Sequence, residues 1–347
     1  FIHHYVTEEL KGKPFLHLEV DEHSADAGMV TRIEAFLDSL KGAEQNEKKE
    51  HEIFRPRPSP APPPKERILY FPYMNDGAYL LAAAARSCGI PSEVLPKQTD
   101  EEIEIGRKYT SSKECFPMIC TTGSFVKKLQ EPGADPKKMS FFMPDHNGPC
   151  RFGQYNHFHR ILFDRLGYRD AELITPSNDT SYEDVAGEHG QKFRINAWKG
   201  FIAADFLRKI YRETRPYEIN KGESERLYWD AYSRVEKCIE KGSKGLAKLL
   251  EQIAREFMAI EADRSVRKPV VAIIGEIFMR DNAGCNGNIA NRLEDLGVEV
   301  MIGPFSEWIY YSTYRFTRDS RWKNDRKGIL KSKIQGFGQD VIANMLL

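Results

Sequence analysis

Two of the six cysteines stand where a thiolate could do chemistry. Cys150 follows the apolar run MSFFMP through the turn DHNGP and precedes a helical pattern that begins at Arg151. Cys115 stands just before Pro117, a residue suited to the first turn of a helix, and close to Lys113. A helix N-terminus and a neighbouring cation both stabilise the charged form of a thiol. Each position therefore favours a thiolate, the form that binds metal or attacks electrophiles.

Loop-borne thiolates surrounded by backbone N–H donors are what an iron–sulfur cluster needs, whereas zinc sites usually show closer cysteine pairs. The competing interpretation is packing, because an isolated cysteine is among the most buried residue types. Cys88 and Cys238 fit packing, since each lies on the apolar side of a helical pattern. Cys285, in the loop sequence GCNGN, is intermediate between the two interpretations.

The segment GEIFMRDNAGCNGN, residues 275–288, could cradle a phosphate, because Gly and Asn form tight turns before a helix N-terminus. Its candidate ligand-binding residues are Gly275, Asn282 and Asn288. It matches neither the dinucleotide fingerprint nor the P-loop, and the sequence contains no Walker motif, so the chain is not expected to hydrolyse ATP by itself. His157 and His159 lie two residues apart on a helical pattern and face different sides, which does not favour a shared ligand role.

The elements that must position these residues are strand–helix–strand units. In each unit the helix is followed by Gly and then by a short apolar strand, and strands joined by a single helix run parallel with right-handed crossovers. Ligands of parallel sheets gather at the carboxyl ends of the strands, which is where both candidate cysteines and the phosphate loop lie. The units cover residues 67–95, 139–176 and 269–304.

The pattern along the chain predicts an α/β protein of two Rossmann-like, parallel-sheet lobes with a helical insert between them. A strand at residues 15–20 and a helix at 29–40 cannot form a core alone, so they are interpreted as the tail of a preceding α/β domain of a longer polypeptide. The predicted divisions are this tail (1–41), a charged and then proline-rich linker (42–66), a first lobe (67–196), a helical insert (197–267) and a second, truncated lobe (268–347).

Composition excludes several classes of partner. The chain has 51 Lys plus Arg and 51 Asp plus Glu, so no overall field would hold nucleic acid or an anionic membrane surface. The longest apolar stretches are strand-sized and far shorter than the ~20 residues that span a bilayer. Scattered cysteines at this density argue for reduced thiols, and no export segment is visible, so a soluble cytoplasmic protein is expected.

Several long motifs, taken together and in order, resemble the later part of the activase fusion proteins related to 2-hydroxyacyl-CoA dehydratases. They are LEVDEHSADAGMVTRIEAFLDSL, GRKYTSSKECFPMICTTG, GPCRFGQYNHFHRILFDRLG and GEIFMRDN followed by LGVEVMIGPFSEWIYY. In that family, ATPase activase domains lie upstream of regions similar to dehydratase subunits and to double-cubane cluster proteins. The resemblance implies that these activase domains share the parent chain and are its partners.

The resemblance also implies a cofactor, a [4Fe–4S] or double-cubane cluster that accepts an electron driven by ATP hydrolysis. Cys115 in KECFP and Cys150 in GPCRFG match the cluster-cysteine motifs, with Lys113 and Arg151 beside them to stabilise the negative cluster. The family motif commonly has a second cysteine where this chain has Met118, and Cys120 lies two residues later as a possible substitute. The region expected to hold a further ligand is absent.

Three interpretations of function stay open at this point. The leading one is part of the iron–sulfur module of an ATP-dependent reductase or dehydratase activase of anaerobic metabolism, without a catalytic residue in this chain and inactive alone. The second is a non-catalytic docking module in which the cysteines are packing residues, which Met118 and the weakness of two-thiolate ligation favour. The third is an α/β domain that binds an acyl-CoA or nucleotide near residues 275–288 without a cluster. A homodimer is compatible with each.

Overall fold

The computed structural model describes residues 15, 16, 18, 26–43, 66–111, 113–145, 150–176 and 182–347. Most of the predicted strand at 15–20 and nearly all of the predicted linker at 42–66 lie outside these residues. The helix predicted at 29–40 is confirmed as α1, Asp26–Ala43. Within the part of the chain described, no helix is both long and apolar enough to cross a bilayer.

A four-stranded, all-parallel sheet forms the first α/β unit, in the order β2-β1-β3-β4. The strands are short and apolar, and the helices between them are the crossover connections that parallel pairing requires. The strands are β1 Ile68–Phe71, β2 Ser92–Val94, β3 Met139–Phe142 and β4 Glu172–Ile174. The helices are α2 Gly77–Arg86, α3 Asp100–Tyr109, α4 Phe116–Leu129 and α5 Tyr155–Arg165.

Side chains that alternate along each strand divide the core into two layers. On one face Tyr70 and Phe141 pack with Phe125 of α4 and Phe163 of α5. On the other face Leu69, Phe71 and Phe142 pack with α2 and with the long helices that follow the sheet. The sheet is therefore covered on both faces, as the sequence pattern predicts for a parallel sheet.

A helical block follows the sheet. Its helices are α6 Glu183–Ala186, α7 Gly190–Thr214, α8 Glu223–Glu240 and α9 Leu246–Met258. The alanines of α2 let α7 approach closely, so that a Cβ at Gly200 would lie 3.1 Å from the Leu80 Cβ. The long helix α7 begins at Gly190, whereas the helical insert was predicted from residue 197, and Phe193 of this first part packs in the same core layer.

A second parallel pair, β5 Val270–Ile273 with β6 Glu299–Ile302, follows the helical block. The helices around it are α10 Ile277–Asp281, α11 Ile289–Asp295, α12 Phe305–Trp322 and α13 Arg326–Leu346. Each element of the third predicted unit is present, and the α/β class is confirmed. Val270 and Met301 are about half exposed, so this pair has a face that the described residues do not cover.

Ion pairs attach the second sheet to α7. Glu294 of α11, whose side chain is fully buried, accepts from Arg212 at 2.9 Å and Arg215 at 2.8 Å. Asp205 of α7 accepts from the backbone N–H of Phe305 and of Ser306, both at 2.8 Å, and so satisfies the N-terminus of α12. The contact between the helical block and the second α/β unit therefore includes buried ion pairs, beside an aromatic contact between Phe201 and Phe305.

Candidate functional site at the carboxyl edge of the sheet

Cys115 and Cys150 each stand directly before a helix. Cys115 is the N-cap residue of α4, and Pro117 occupies the first turn of that helix. Cys150 is the N-cap residue of a 3₁₀ turn, Arg151–Gln154, that runs straight into α5. Cys150 is exposed and Cys115 is half-buried. The local placement predicted from the sequence is therefore present, with both sulfurs at helix starts, and Cys150 follows the carboxyl end of β3.

A hydrogen bond ties the two helix starts together. The Arg151 guanidinium donates to the backbone carbonyl of Lys113 at 2.7 Å. Since Lys113 is two residues from Cys115 and Arg151 is next to Cys150, this bond holds the two cysteine-bearing loops next to each other. Lys113 is exposed, and it contributes its carbonyl to this contact.

Tyr155 of α5 interacts with both thiols. Its hydroxyl forms a hydrogen bond with the Cys115 side chain, and it lies within electrostatic range of Cys150 and of Glu276. Burial raises the pKa of Tyr155, and the neighbouring Cys115, Cys150 and Glu276 raise it further. Tyr155 therefore keeps its proton and can donate it to a thiolate. Sequence reasoning missed this residue, although its position five residues after Cys150 places it on the first turn of the helix.

Cys120 and Cys285 form a second pair of thiols. Their sulfurs lie 3.4 Å apart, although the residues are 165 positions apart in the chain. Cys120 is fully buried in α4, and Cys285 is half-buried in the loop after α10. The hydrogen bond between the sulfurs raises the pKa of Cys120, with burial adding to it, and lowers the pKa of Cys285. Of the two, Cys285 is thus the thiol that loses its proton first.

The loop that carries Cys285 is fixed by Asn282. This side chain is fully buried: its amide donates to Gln98 Oε1 at 2.8 Å, and its oxygen accepts from the Cys285 N–H at 3.1 Å. Gln98 in turn donates to the Tyr73 carbonyl at 2.9 Å. Asn282 thus joins the second α/β unit to the loops of the first sheet, which is a structural use of its polar atoms. Its predicted role in binding a ligand stays a prediction.

A cavity of about 330 Å³ opens between the first sheet, α7, α8 and the loop after α10. Its walls come from the carboxyl ends of β1 and β2 and from residues 281–288, as expected for a ligand site of parallel sheets. The predicted residue Asn288 lines it, while Gly275 is exposed before α10 and does not line the cavity. Its other walls include Tyr73, Asp76, Lys97, Arg208, Arg212, Tyr228, Trp229, Asp281 and Gly284.

Fixed charges face this cavity. Asp76 accepts from the hydroxyls of Tyr73 at 2.7 Å and Tyr228 at 2.8 Å, and Lys97 lies 3.4 Å from it. Lys97 also lies over the Trp229 ring, 4.8 Å from its centroid. Burial and then Asp76 raise the pKa of Tyr73, so this hydroxyl remains a donor. The cavity therefore offers an aromatic wall beside a partly exposed ammonium group.

The remaining residues considered in the sequence lie apart from these groups. Cys88 and Cys238 pack against the main core layer, in agreement with the packing interpretation. His157 is exposed and His159 is fully buried, so the two face different sides of α5 as predicted. His159 bonds to the Thr122 hydroxyl at 3.1 Å and lies outside the two thiol pairs.

Among the residues that the structure describes, no group of three or more His, Cys, Asp or Glu side chains is placed to hold a metal ion. The fold is that of an α/β protein, and its candidate site lies at the carboxyl edge of a parallel sheet. Searches of protein-family models, of curated proteins and of solved structures return no match to this chain.

Proposed function

We propose that Cys115 and Cys150 are two ligands of an iron–sulfur cluster in a module for ATP-driven, low-potential electron transfer. The motifs that resemble 2-hydroxyacyl-CoA dehydratases and their activases motivate this proposal, and activase ATPase domains would be its partners. The observation that carries it is the junction of the two helix starts through Arg151 and the Lys113 carbonyl. We further propose that β5 and β6 begin a second Rossmann-like lobe.

The donor set fits such a cluster at two of its corners. Thiolates are the usual ligands of iron–sulfur clusters, and each of these cysteines is the N-cap residue of a helical segment. The cluster would accept and pass on single electrons at low potential. Arg151 would stabilise its negative charge, and Tyr155 would donate a hydrogen bond to the Cys115 sulfur, which reduces the charge on that ligand. Cys120 stays a predicted ligand, but its sulfur is committed to Cys285.

Anaerobic reconstitution of the full chain with ferrous iron and sulfide tests the proposal. We expect a cluster absorbance band and a spin-resonance signal after reduction. Both should be lost in Cys115→Ser and in Cys150→Ser, because a single remaining cysteine ligand cannot hold the cluster. Cys88→Ser and Cys238→Ser, which alter packing cysteines, are matched controls and should keep the signal. The cluster proposal would be wrong if the protein stays colourless and iron-free, or if Cys150→Ser leaves the signal unchanged. Either result would favour the docking-module interpretation.

A second candidate function is favoured by the cavity. The adenine ring of an acyl-CoA or nucleotide could stack on Trp229, with a phosphate at Lys97, whose side chain is 40% exposed. The cavity, at about 330 Å³, has the size of the smaller ligand pockets and would hold only a portion of CoA.

Thermal-shift measurements with CoA and with ATP test this second function. We expect a ligand-dependent rise in Tm that Lys97→Gln reduces, with at least about tenfold weaker binding, since a charge-assisted contact to phosphate is worth ~1.5–3 kcal/mol. Lys138→Gln is the matched control, because Lys138 is exposed at the start of β3, at the opposite edge of the sheet. Ligand binding in the cavity would be contradicted if neither ligand raises the Tm, or if Lys97→Gln and Lys138→Gln reduce the rise in Tm equally.

A further inference from the structure

The Cys120–Cys285 pair is separate from Cys115 and Cys150, the two ligands that the proposed cluster uses, and the Cys120 sulfur is in contact with Cys285 instead. All six cysteines are free thiols in the structure, and among the described residues only this pair is in sulfur–sulfur contact. One thiol belongs to α4, which packs on the first sheet, and the other belongs to the loop of the second α/β unit. A covalent bond between them would therefore join the two units.

We propose that Cys120 and Cys285 form a reversible disulfide that locks the loop at residues 282–288 onto the first α/β unit. The sulfurs lie 3.4 Å apart, and a disulfide needs about 2.0 Å, so closure requires a movement of little more than 1 Å.

The loop is already held in the position that the bond requires. A Cβ added to Gly284 would lie 2.2 Å from the Gln98 carbonyl oxygen, so the two backbones are in direct contact next to Cys285. Asn282 holds the other side of the loop through Gln98 Oε1. Because noncovalent contacts have already ordered this loop, bond formation loses little conformational entropy in the folded state.

A disulfide-exchange reagent such as oxidised glutathione supplies the oxidising equivalents. The half-exposed Cys285 loses its proton to solvent and attacks one sulfur of oxidised glutathione, which releases one glutathione thiolate. Cys120, losing its own proton, then attacks the Cys285 sulfur of the mixed disulfide and releases the second glutathione thiolate. Two protein thiols are oxidised to one disulfide, and one glutathione disulfide is reduced to two glutathione molecules.

The bond would act on the cavity as well. Gly284 and Asn288 line it from the same loop, so the oxidised chain has one wall of the cavity fixed to α4. Reduction by a dithiol would free that wall again. The inference requires neither the cluster nor a ligand in the cavity, and it is tested without either.

Peptide mapping of the full chain after equilibration with oxidised glutathione tests the proposal. We expect one linked peptide pair that contains Cys120 and Cys285, an intact mass lower by two hydrogens, and reversal by dithiothreitol. Since the bond closes a loop of 165 residues, the Tm of the oxidised chain should rise by ~5 °C.

Cys285→Ser should remove the linked peptide and the Tm rise, and this variant should fold because the residue is half-buried in a loop. Cys88→Ser is the matched control and should keep both effects. The proposal is overturned if Cys120 and Cys285 remain fully alkylatable after denaturation of the oxidised sample, or if the predominant linked pair contains Cys115 or Cys150 instead.

Discussion

Replacement of Gly123 by alanine is expected to lower the free energy of unfolding by about 4 kcal/mol or to prevent folding. An added Cβ would lie 1.7 Å from the Glu102 carbonyl oxygen and 3.1 Å from the Gly106 nitrogen. These are backbone atoms of α3, which cannot rotate away as a side chain can. A Cβ at Gly106 would likewise lie 2.0 Å from the Ile119 carbonyl oxygen. The two helices therefore pack backbone to backbone through one glycine each.

The loss is large because α4 cannot retreat without opening the core. Phe125, fully buried on that helix, packs against Phe141 with ring centroids 4.9 Å apart. On the other side, α3 is held at its start by the Thr99 N–H, which donates to Glu102 at 2.7 Å. Separating the helices by more than 1 Å would create voids around the aromatic side chains.

Urea unfolding followed by circular dichroism measures this effect. Gly338→Ala is the matched control, because Gly338 lies within α13 with no heavy atom within 4 Å of the added Cβ. That control should change the free energy of unfolding by no more than about 1 kcal/mol, in the stabilising direction. Equal stability of the two alanine variants would mean that α3 and α4 do not pack as closely as described.

The sequence predicted this first α/β unit well, for a physical reason. Short apolar strands, alanine-rich α2 and the glycine after each helix are local signals, and each is read within about ten residues. The parallel direction of β1 with β2 and of β3 with β4 follows from single-helix connections, whereas two helices, α3 and α4, join β2 to β3. The order β2-β1-β3-β4 does not follow, since any of these strands is apolar enough for a central or an edge position. Helix α3 was missed because its sequence is mostly charged and its only aliphatic side chains, Ile103 and Ile105, do not have helical spacing.

The candidate site was predictable only where a local signal exists. A cysteine before a helix start is visible in the sequence, and both Cys115 and Cys150 lie at such starts. The contact between Cys120 and Cys285 depends on how the two α/β units pack together. The two residues are 165 positions apart, so no local sequence pattern predicts that they meet. The same holds for the cavity, whose walls are contributed by both units and the helical block.

Acidification is expected to destabilise the protein through His159. This ring is fully buried on α5, with Phe125 4.8 Å and Phe158 6.0 Å from its centroid, and burial lowers the pKa of His159 to about 3. In the unfolded chain a histidine has a pKa of about 6.5. The unfolded chain therefore takes up a proton between these two values and the folded chain does not, so stability is full above pH 6.5 and falls toward pH 3.

The expected loss between pH 7 and pH 4 is about 3 kcal/mol from this group alone. Because carboxylates also titrate between pH 7 and pH 4, the loss in the free energy of unfolding is compared between the wild type and variants. Urea unfolding at both pH values should show that His159→Gln, which cannot take up the proton, loses about 3 kcal/mol less than the wild type. His157→Gln, an exposed change on the same helix, should keep the wild-type loss.

The hydrogen bonding of the His159 ring explains why the folded protein does not compensate for this loss. His159 Nε2 bonds to the Thr122 hydroxyl, while its Nδ1 is buried without a hydrogen-bond partner among the described residues. A protonated ring would need two acceptors and would bury an unpaired charge between phenylalanines, which is costly in an apolar site. If His159→Gln and the wild type lose equal stability on acidification, the ring is reached by water or by an acid group, and the packing of α5 on α4 is looser than described.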